Sequence, residues 1–368
     1  MTKRIALVIP TMDRGGAEKQ LCLLALNLPR DHFDVHVILL TRDGPRSAQL
    51  RDAGIPVTVI GKRFKADPSA FFRLRRELKR LQPQIVHTWL FAANSFGRVA
   101  AKAAKVPRII ASERCVDPWK TSAHFLVDRK LATFTETITT NSEGVRDFYA
   151  SHGISQDKFT LIPNGIEPVA DSPLSRDEAF DLLGVDPNRK LIMAVGRLWP
   201  QKRYRDLIWS AELLGTLRED TTLAIVGDGP QKGELLRHRD AVTIPDHVRF
   251  CGQRDDVTKL LPHADAYWIG SEYEGQSNSV IEAMQAGIPV IASNIAGNRD
   301  LVIDQQTGRL VKLGDTADFA RQTNEILDNE DEARRLGSNA RDRIASEFTV
   351  AKMVDQHAKL YERTTADS

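Results

Sequence analysis

The sequence contains few cysteines and no long apolar run. Its three cysteines are scattered and lack metal-ligand spacing: Cys22, Cys115 and Cys251. This excludes a disulfide-stapled secreted scaffold and indicates a reducing compartment. No apolar run approaches the roughly 20 residues that span a bilayer, and the first run, residues 5–9, is too short for a signal-peptide core. We therefore expect a cytoplasmic protein.

Charge is distributed unevenly, although the net charge of the 368 residues is only +2. Residues 1–175 contain 26 lysines and arginines against 17 aspartates and glutamates, a net charge of 26 − 17 = +9. Residues 176–368 contain 25 lysines and arginines against 32 aspartates and glutamates, a net charge of 25 − 32 = −7. A basic half suits an anionic acceptor or an anionic membrane surface, and an ordinary solvated imbalance is the equally weighted alternative.

The densest basic stretch is residues 62–80, in which apolar side chains recur at helical spacing. This pattern predicts a helix that packs on a sheet and turns its cations outward. Such a face is most often only solvated, and peripheral contact with an anionic membrane, at its inner side, is the alternative hypothesis. We expect no nucleic-acid partner.

Apolar runs typical of buried parallel strands alternate with helical patterns along the chain. Seven such runs lie between residues 4 and 162 and six between residues 191 and 311, with a polar, proline-bearing link at 167–173. The alternation predicts an α/β protein with two doubly wound parallel sheets. We expect one domain over residues 1–170 and a second over residues 171–349, followed by a final helix at 350–365.

The most informative stretch is residues 271–293, SEYEGQSNSVIEAMQAGIPVIAS, which reads as a loop, a helix start and a strand. It carries two glutamates, Glu274 and Glu282. Free N–H groups at a helix start bind phosphate, and carboxylates beside them accept hydrogen bonds from sugar hydroxyls. The stretch therefore predicts a nucleotide-diphosphate-sugar site. A capping box of Ser279 and Glu282 is the structural alternative.

This stretch resembles the signature of retaining GT-B glycosyltransferases, in particular glycosyltransferase family 4, also called glycosyl transferases group 1. Further motifs match that family in order along nearly the whole chain: Gly15-Gly16-Ala17-Glu18, Pro163-Asn164-Gly165-Ile166, Gly196-Arg197-Leu198 with Lys202, Val226-Gly227-Asp228-Gly229-Pro230, and Gly297-Asn298 with Asp300. The resemblance implies the GT-B architecture, two Rossmann-like domains facing a central cleft. It also implies that the first domain binds the acceptor, the second binds the nucleotide sugar, and the final helix packs back on the first.

The resemblance implies roles for the residues of the donor site. It places Glu282 against the ribose hydroxyls and Glu274 near the donor sugar. Arg197 and Lys202 would stabilise the diphosphate leaving group as charge develops on it. The full donor-binding set is then Gly15, Gly16, Arg197, Lys202, Gly227, Gln253, Arg254, Gly275, Gln276, Ser277, Asn278, Ser279 and Glu282. For the glycine loops, the alternative is a plain βα turn without a ligand. For Gly227, an NAD-binding turn is a further alternative, but a single Gly-x-Gly is weak support for it.

The sequence defines the acceptor-binding residues less clearly than the donor-binding ones. His87 and the pair Glu113-Arg114 each follow or end a buried apolar run. Many relatives carry a histidine where Ser112-Glu113-Arg114 stands here, so a catalytic histidine is not carried over to that loop. We expect Glu113 and Arg114 to orient the acceptor or its phosphate, with Glu113 also a catalytic candidate. For His87, a catalytic or acceptor-binding role and a structural role stay equally open.

These features together predict a retaining, metal-independent glycosyltransferase without a cofactor. It would move a sugar from a UDP- or GDP-linked donor to a hydroxyl of a glycan or lipid-linked acceptor, in bacterial surface polysaccharide synthesis. Metal-dependent enzymes of the other major fold use an Asp-x-Asp triplet, which this sequence lacks. A GT-B nucleotide-sugar epimerase and a noncatalytic sugar-nucleotide binding protein are the alternatives. The joint presence of Arg197, Lys202, Glu274 and Glu282 argues against the second.

Overall fold

The computed structural model describes residues 2–168 and 174–363, which form two parallel β-sheets. The strands of the first sheet are β1 (Lys3–Ile9), β2 (Phe33–Leu39), β3 (Val57–Val59), β4 (Ile85–Trp89), β5 (Arg108–Glu113), β6 (Thr137–Thr140) and β7 (Phe159–Leu161). The strands of the second sheet are β8 (Lys190–Val195), β9 (Thr221–Val226), β10 (Val248–Gly252), β11 (Ala266–Ile269), β12 (Val290–Ser293) and β13 (Arg309–Val311).

Helices connect the strands, so that each sheet is built from βα units. Those of the amino-terminal part are α1 (Gly16–Asn27), α2 (Ser47–Asp52), α3 (Pro68–Leu81), α4 (Leu90–Ala103), α5 (Ser122–Ala132) and α6 (Glu143–Ser151). The remaining helices are α7 (Arg176–Leu183), α8 (Tyr204–Leu217), α9 (Lys232–Asp240), α10 (Val257–Leu260), α11 (Asn278–Ala286), α12 (Ala296–Arg299), α13 (Thr316–Asp328), α14 (Glu330–Glu347) and α15 (Val350–Arg363). None of these described helices is both long enough and apolar enough to cross a bilayer.

The strand orders are β3-β2-β1-β4-β5-β6-β7 and β10-β9-β8-β11-β12-β13, with parallel pairing throughout. Central strands are apolar on both faces because helices cover both sides, and the five residues of β1 from Ile5 to Ile9 are fully buried. The predicted α/β class with two doubly wound sheets is confirmed. Each order reverses once, between β1 and β4 and between β8 and β11. Ligands of open α/β sheets bind beyond the carboxyl ends of the strands at such a reversal.

The chain divides into two compact units. The first contains the residues up to Gly165 and those from Thr349 onward, and the second runs from Ile166 to Phe348. The predicted boundary between residues 170 and 171 lies outside the described residues, as do residues 364 and 365 of the predicted final helix.

Helix α15 supplies part of the core of the first unit. Its buried residues recur on one face, at Val350, Met353, Val354, His357 and Tyr361. All of them but His357 belong to the apolar cluster that also holds Ile5, Leu7 and Ile9 of β1 and residues of α1. The chain leaves this unit at Gly165, where a Cβ atom would lie 2.8 Å from the Cα of Val350. Only glycine fits this close approach.

Two helices have no counterpart in the sequence-based prediction. Helix α7 begins at a capping box, in which Ser175 and Glu178 bond each other's backbone N–H groups. Helix α12 has only four residues and is too short to show a helical period. The helix expected in the basic stretch 62–80 is present as α3, with Leu74, Leu78 and Leu81 buried.

Candidate active site

Lys202 and Glu274 form an ion pair at the carboxyl edge of the second sheet. Lys202 follows β8 and Glu274 follows β11, and these strands are neighbours. The distance from Lys202 Nζ to Glu274 Oε1 is 2.5 Å, and each side chain is less than one-sixth exposed. Ser271 also donates to Glu274 Oε1, at 2.8 Å. Two of the predicted site residues are thus brought together and held in a fixed geometry.

A chain of hydrogen bonds behind Glu274 fixes its loop. The Ser293 hydroxyl donates to the Ser271 carbonyl at 2.6 Å, and Asn298 Nδ2 donates to the Ser293 carbonyl at 2.9 Å. A Cβ atom on Gly297 would lie 2.1 Å from the Gly275 carbonyl oxygen, so only glycine allows this approach. The Gly297-Asn298 motif signals this support, but the roles of Ser271 and Ser293 were not predicted.

The structure also decides the role of Ser279 in helix α11. The helix begins at Asn278, and its N-cap residue Ser277 makes no side-chain capping hydrogen bond. Ser279 therefore lies inside the first turn, so Ser279 and Glu282 do not form a capping box. Gln276 and Ser277 are buried just before the helix. The N–H groups at a helix start of this kind are suited to hold an anion.

Arg197 and the glycine turn after β9 lie side by side. The Arg197 side chain is exposed and stacks over the Trp199 ring at 5.3 Å. A Cβ atom on Gly227 would lie 1.9 Å from the Gly196 carbonyl oxygen, and the Leu198 N–H donates to the Asp228 carbonyl at 3.0 Å. The glycines thus let two neighbouring loops pack against each other, and Arg197 projects from them into solvent.

Gln253 and Arg254 follow β10 at the edge of the same sheet. Gln253 is exposed. The Arg254 guanidinium donates to both carboxylate oxygens of Asp256, at 2.8 and 2.7 Å, and to the Leu182 carbonyl at 3.0 Å. These contacts hold the loop and raise the pKa of Arg254 further, through the Asp256 hydrogen bond. Any contact between Arg254 and the base of the donor nucleotide would therefore use the Arg254 backbone.

In the first unit, Gly15 and Gly16 form the start of helix α1. Gly15 is the N-cap and Gly16 the first helical residue, with no side-chain cap from Gly15. One turn later Gln20 bonds both the N–H and the carbonyl of Gly165, at 2.8 and 2.9 Å. The glycine loop is therefore anchored to the segment through which the chain leaves this unit.

For His87, whose functional and structural roles the sequence leaves equally open, the contacts favour the structural one. His87 is fully buried, with Nδ1 2.7 Å from the Tyr361 hydroxyl and Nε2 3.1 Å from the Ser112 hydroxyl. Burial holds its pKa well below the usual range, so the ring stays neutral. Because both ring nitrogens are engaged within the unit, His87 serves as a structural residue that ties helix α15 to the sheet.

Glu113 is likewise inside the first unit rather than at an open strand end. It is 4% exposed, its Oε2 accepts from the Tyr149 hydroxyl at 3.2 Å, and its Oε1 lies 3.8 Å from Lys120 Nζ. Burial raises the pKa of this carboxyl. These contacts make Glu113 a member of a buried ionic cluster with Lys120 and Tyr149. Arg114 is also buried, but outside this cluster, and its Nη2 donates to the side-chain oxygen Oδ1 of Asn164.

Comparison with known proteins covers most of the chain. The family model Glycosyltransferase Family 4 matches residues 14–169, and the model Glycosyl transferases group 1 matches residues 175–343. A UDP-Gal:alpha-D-GlcNAc-diphosphoundecaprenol alpha-1,3-galactosyltransferase of Escherichia coli is 27% identical over 350 residues, 91% of this chain and 90% of that protein. A lipopolysaccharide core biosynthesis glycosyltransferase, LpsD of Rhizobium meliloti (strain 1021), is 24% identical over 295 residues, 80% of each chain.

Solved structures share the fold. Anabaena HepE in complex with UDP-glucose superposes with a TM-score of 0.87, at 23% identity over 98% of this chain and 99% of that one. Sucrose-phosphate synthase from Thermosynechococcus elongatus gives a TM-score of 0.80, at 20% identity over 100% of both chains. With two family models matched in sequence, the motifs in order and both sheets present, the chain belongs to the GT-B glycosyltransferases of family 4.

Proposed function

We propose that this glycosyltransferase is retaining and metal-independent, and that it uses a UDP-sugar to extend a lipid-diphosphate-linked glycan. The observation that carries the proposal is the Lys202–Glu274 ion pair in the loop that leads into α11. The UDP complexes of HepE support the choice of UDP, and the E. coli relative, a galactosyltransferase acting on a GlcNAc-diphosphoundecaprenol, supports the choice of a diphosphate-linked acceptor.

The second unit offers a plausible set of partners for the donor. The diphosphate would sit at the α11 start with Arg197 and Lys202, which replace the charge stabilisation of a metal ion. Glu282 would bind the ribose hydroxyls. Glu274, already oriented by Lys202 and Ser271, would accept from a hydroxyl of the donor sugar and stabilise positive charge on its ring.

The reaction would proceed on one face of the sugar. The bond between the anomeric carbon and the diphosphate oxygen breaks, and the acceptor oxygen bonds to the same face of that carbon. The acceptor proton passes to the departing phosphate oxygen. This route needs no protein base, which is consistent with the structural roles of His87 and Glu113.

We further propose that helix α3 and the segment before it dock on an anionic membrane. Phe64 and Phe72 are 59% and 62% exposed, more than any other large apolar side chain among the described residues. Four exposed cations nearby form no ion pair with any described residue: Arg63, Lys65, Arg76 and Lys79. Exposed aromatic rings among unpaired cations suit the boundary between acyl chains and anionic headgroups. A lipid-linked acceptor would be met at that surface.

Activity is tested with a UDP-sugar panel and a synthetic polyprenyl-diphosphate N-acetylhexosamine. We expect transfer with retention of the anomeric configuration, read by NMR of the product, and undiminished rates in EDTA. Inversion at the anomeric carbon, or loss of activity in EDTA restored by Mg²⁺ or Mn²⁺, contradicts the proposal. Conversion of the UDP-sugar without any acceptor would instead indicate the epimerase.

Arg197→Met and Lys202→Met separate leaving-group stabilisation from folding. Each should lower kcat by on the order of a hundredfold. Arg197→Met should leave the melting temperature unchanged because Arg197 is exposed. Lys202→Met leaves Glu274 without its cation and should cost about 3 kcal/mol of stability, the low end for a buried pair. Lys359→Met, which breaks an exposed pair with Asp355, is the control and should change neither quantity. Near-normal turnover in both site variants refutes the phosphate role.

Glu282→Gln tests the ribose contact. Glu282 lies beyond the first turn of α11, and glutamine has nearly the same shape and keeps a hydrogen-bonding oxygen, so stability should hold. Loss of charge-assisted hydrogen bonds should weaken UDP binding by about ten- to a hundredfold. Isothermal titration with UDP and a melting curve give the two readouts. Unchanged UDP affinity with a lower melting temperature would make Glu282 a structural residue.

Co-sedimentation with vesicles tests the membrane surface. Wild-type protein should bind phosphatidylglycerol vesicles and not phosphatidylcholine vesicles, with binding reduced at high salt. The double variant Phe64→Ser, Phe72→Ser should lose most of this binding. Leu217→Ser, at a similarly exposed apolar side chain of the second unit, serves as the control. Equal binding by the double variant and the control rules out this surface.

A further inference from the structure

Trp119 is an exposed aromatic residue in the loop that follows β5, at the carboxyl edge of the first sheet. It is 52% exposed, yet its neighbours hold it in place. Its Nε1 donates to Asp117 Oδ1 at 3.1 Å. Its ring centre lies 5.0 Å from that of Phe91 and 5.5 Å from that of His124, and both contacts are edge to face. A large apolar ring is therefore presented to solvent in a fixed orientation.

The loop that carries Trp119 is anchored by the next residue, Lys120. The Lys120 side chain is fully buried, and its Nζ lies 3.0 Å from Asp128 and 3.5 Å from Asp117. A third carboxylate, Glu113, lies 3.8 Å from the same nitrogen. A buried cation held by several carboxylates is costly to displace. Lys120 is therefore a positioning residue, which keeps the adjacent tryptophan in place.

Two polar groups border the Trp119 ring. The Asp117 side chain is 19% exposed, and its Oδ1 can accept a second hydrogen bond beside that from Trp119, because a carboxylate oxygen has two lone pairs. His124 is partly buried, and its Nδ1 accepts from the Thr121 N–H at 3.1 Å, which places the proton of the neutral ring on Nε2. A hydrogen-bond acceptor and a donor thus flank an exposed apolar ring.

This combination matches the two kinds of surface that a pyranose sugar offers. The C–H groups on one face of the sugar carry partial positive charge and pack against the electron-rich face of an aromatic ring. The hydroxyls around the sugar need polar partners at the edge of that ring. A tryptophan held in advance loses little conformational freedom when it makes such a contact. An anionic membrane fits Trp119 less well, because the carboxylate of Asp117 beside it would repel the headgroups.

We propose that Trp119, bordered by Asp117 and His124, binds a pyranose ring of the acceptor glycan. This deepens the proposed function, on which the identity of the sugar as part of the acceptor rests. The aromatic face stacks on the sugar, and the carboxylate and the imidazole N–H bind its hydroxyls. Trp119 is then a specificity-determining residue, which contributes to acceptor affinity and takes no part in the transfer step.

A tryptophan series tests this contact in the transferase assay with the polyprenyl-diphosphate N-acetylhexosamine. Trp119→Leu keeps an apolar side chain and removes the aromatic face, so it should raise the KM for the acceptor about three- to tenfold. Trp119→Phe should restore most of the affinity. Trp209→Leu, at a 46% exposed tryptophan of α8, is the matched control and should behave as wild type.

The other kinetic quantities show whether the effect is one of sugar binding. In all three variants kcat, the KM for the UDP-sugar and the melting temperature should stay unchanged. Equal acceptor KM values in wild type and Trp119→Leu overturn the proposal. A fall in kcat or in melting temperature at an unchanged acceptor KM also overturns it, because Trp119 would then serve the transfer step or the fold.

Acceptors with shortened tails separate the sugar from the lipid. The increase in KM caused by Trp119→Leu should be the same when a short alkyl chain replaces the polyprenyl chain, because the sugar is unchanged. If the increase disappears with the short chain, Trp119 contacts the lipid and the proposal is overturned. Loss of binding to phosphatidylglycerol vesicles in Trp119→Leu would assign the residue to the membrane and overturn it as well.

Saturation-transfer NMR with methyl N-acetyl-α-D-glucosaminide detects sugar binding by the full-length protein without any transfer. We expect saturation of the sugar ring protons in wild type and in Trp209→Leu, and its loss in Trp119→Leu. No saturation in wild type, or equal saturation in wild type and Trp119→Leu, overturns the proposal. If the expected pattern appears but no UDP-sugar supports transfer, the sugar site is supported and the proposed function alone is refuted.

Discussion

The ion pair between Lys202 and Glu274 is the interaction on which the rest of the second unit's edge depends. It joins the loops of two adjacent strands at the point where the strand order reverses. Ser271 and the hydrogen bonds behind it fix the carboxylate before any ligand arrives. Preorganisation of this kind lets charged groups act on a reacting centre without reorganisation during the reaction. The glycines of this edge serve the same end, because they let the loop backbones touch.

The first unit shows two ways in which a protein buries polar groups. His87 and Glu113 find all their partners inside the unit, and their positions are thereby fully explained by folding. Arg114 has a neutral hydrogen-bond partner and a ring, but no opposite charge. Burial alone therefore does not separate structural residues from functional ones. What distinguishes Arg114 from the other two is the absence of a compensating charge among the described residues, and an uncompensated buried ion is costly.

Much of the fold could be predicted from the sequence because buried parallel strands are continuous apolar runs. The capping box of Ser175 and Glu178 was a readable signal for α7, whereas α12 has too few residues for any period. The donor motifs are local, so their positions followed from spacing and resemblance. The burial of His87 could not be predicted, because its partner Tyr361 is 274 residues away in sequence. No local pattern reports a contact of that kind.

The return of helix α15 to the first unit sets the order in which the protein can be completed during synthesis. The second unit is one continuous segment, so all of its strands are available before α15 has been translated. The first unit starts earlier but lacks one wall of its core until the last helix emerges. Domains usually fold in the order in which they leave the ribosome. Here the amino-terminal unit is finished last, and its apolar surface must be kept from aggregation while the other unit forms.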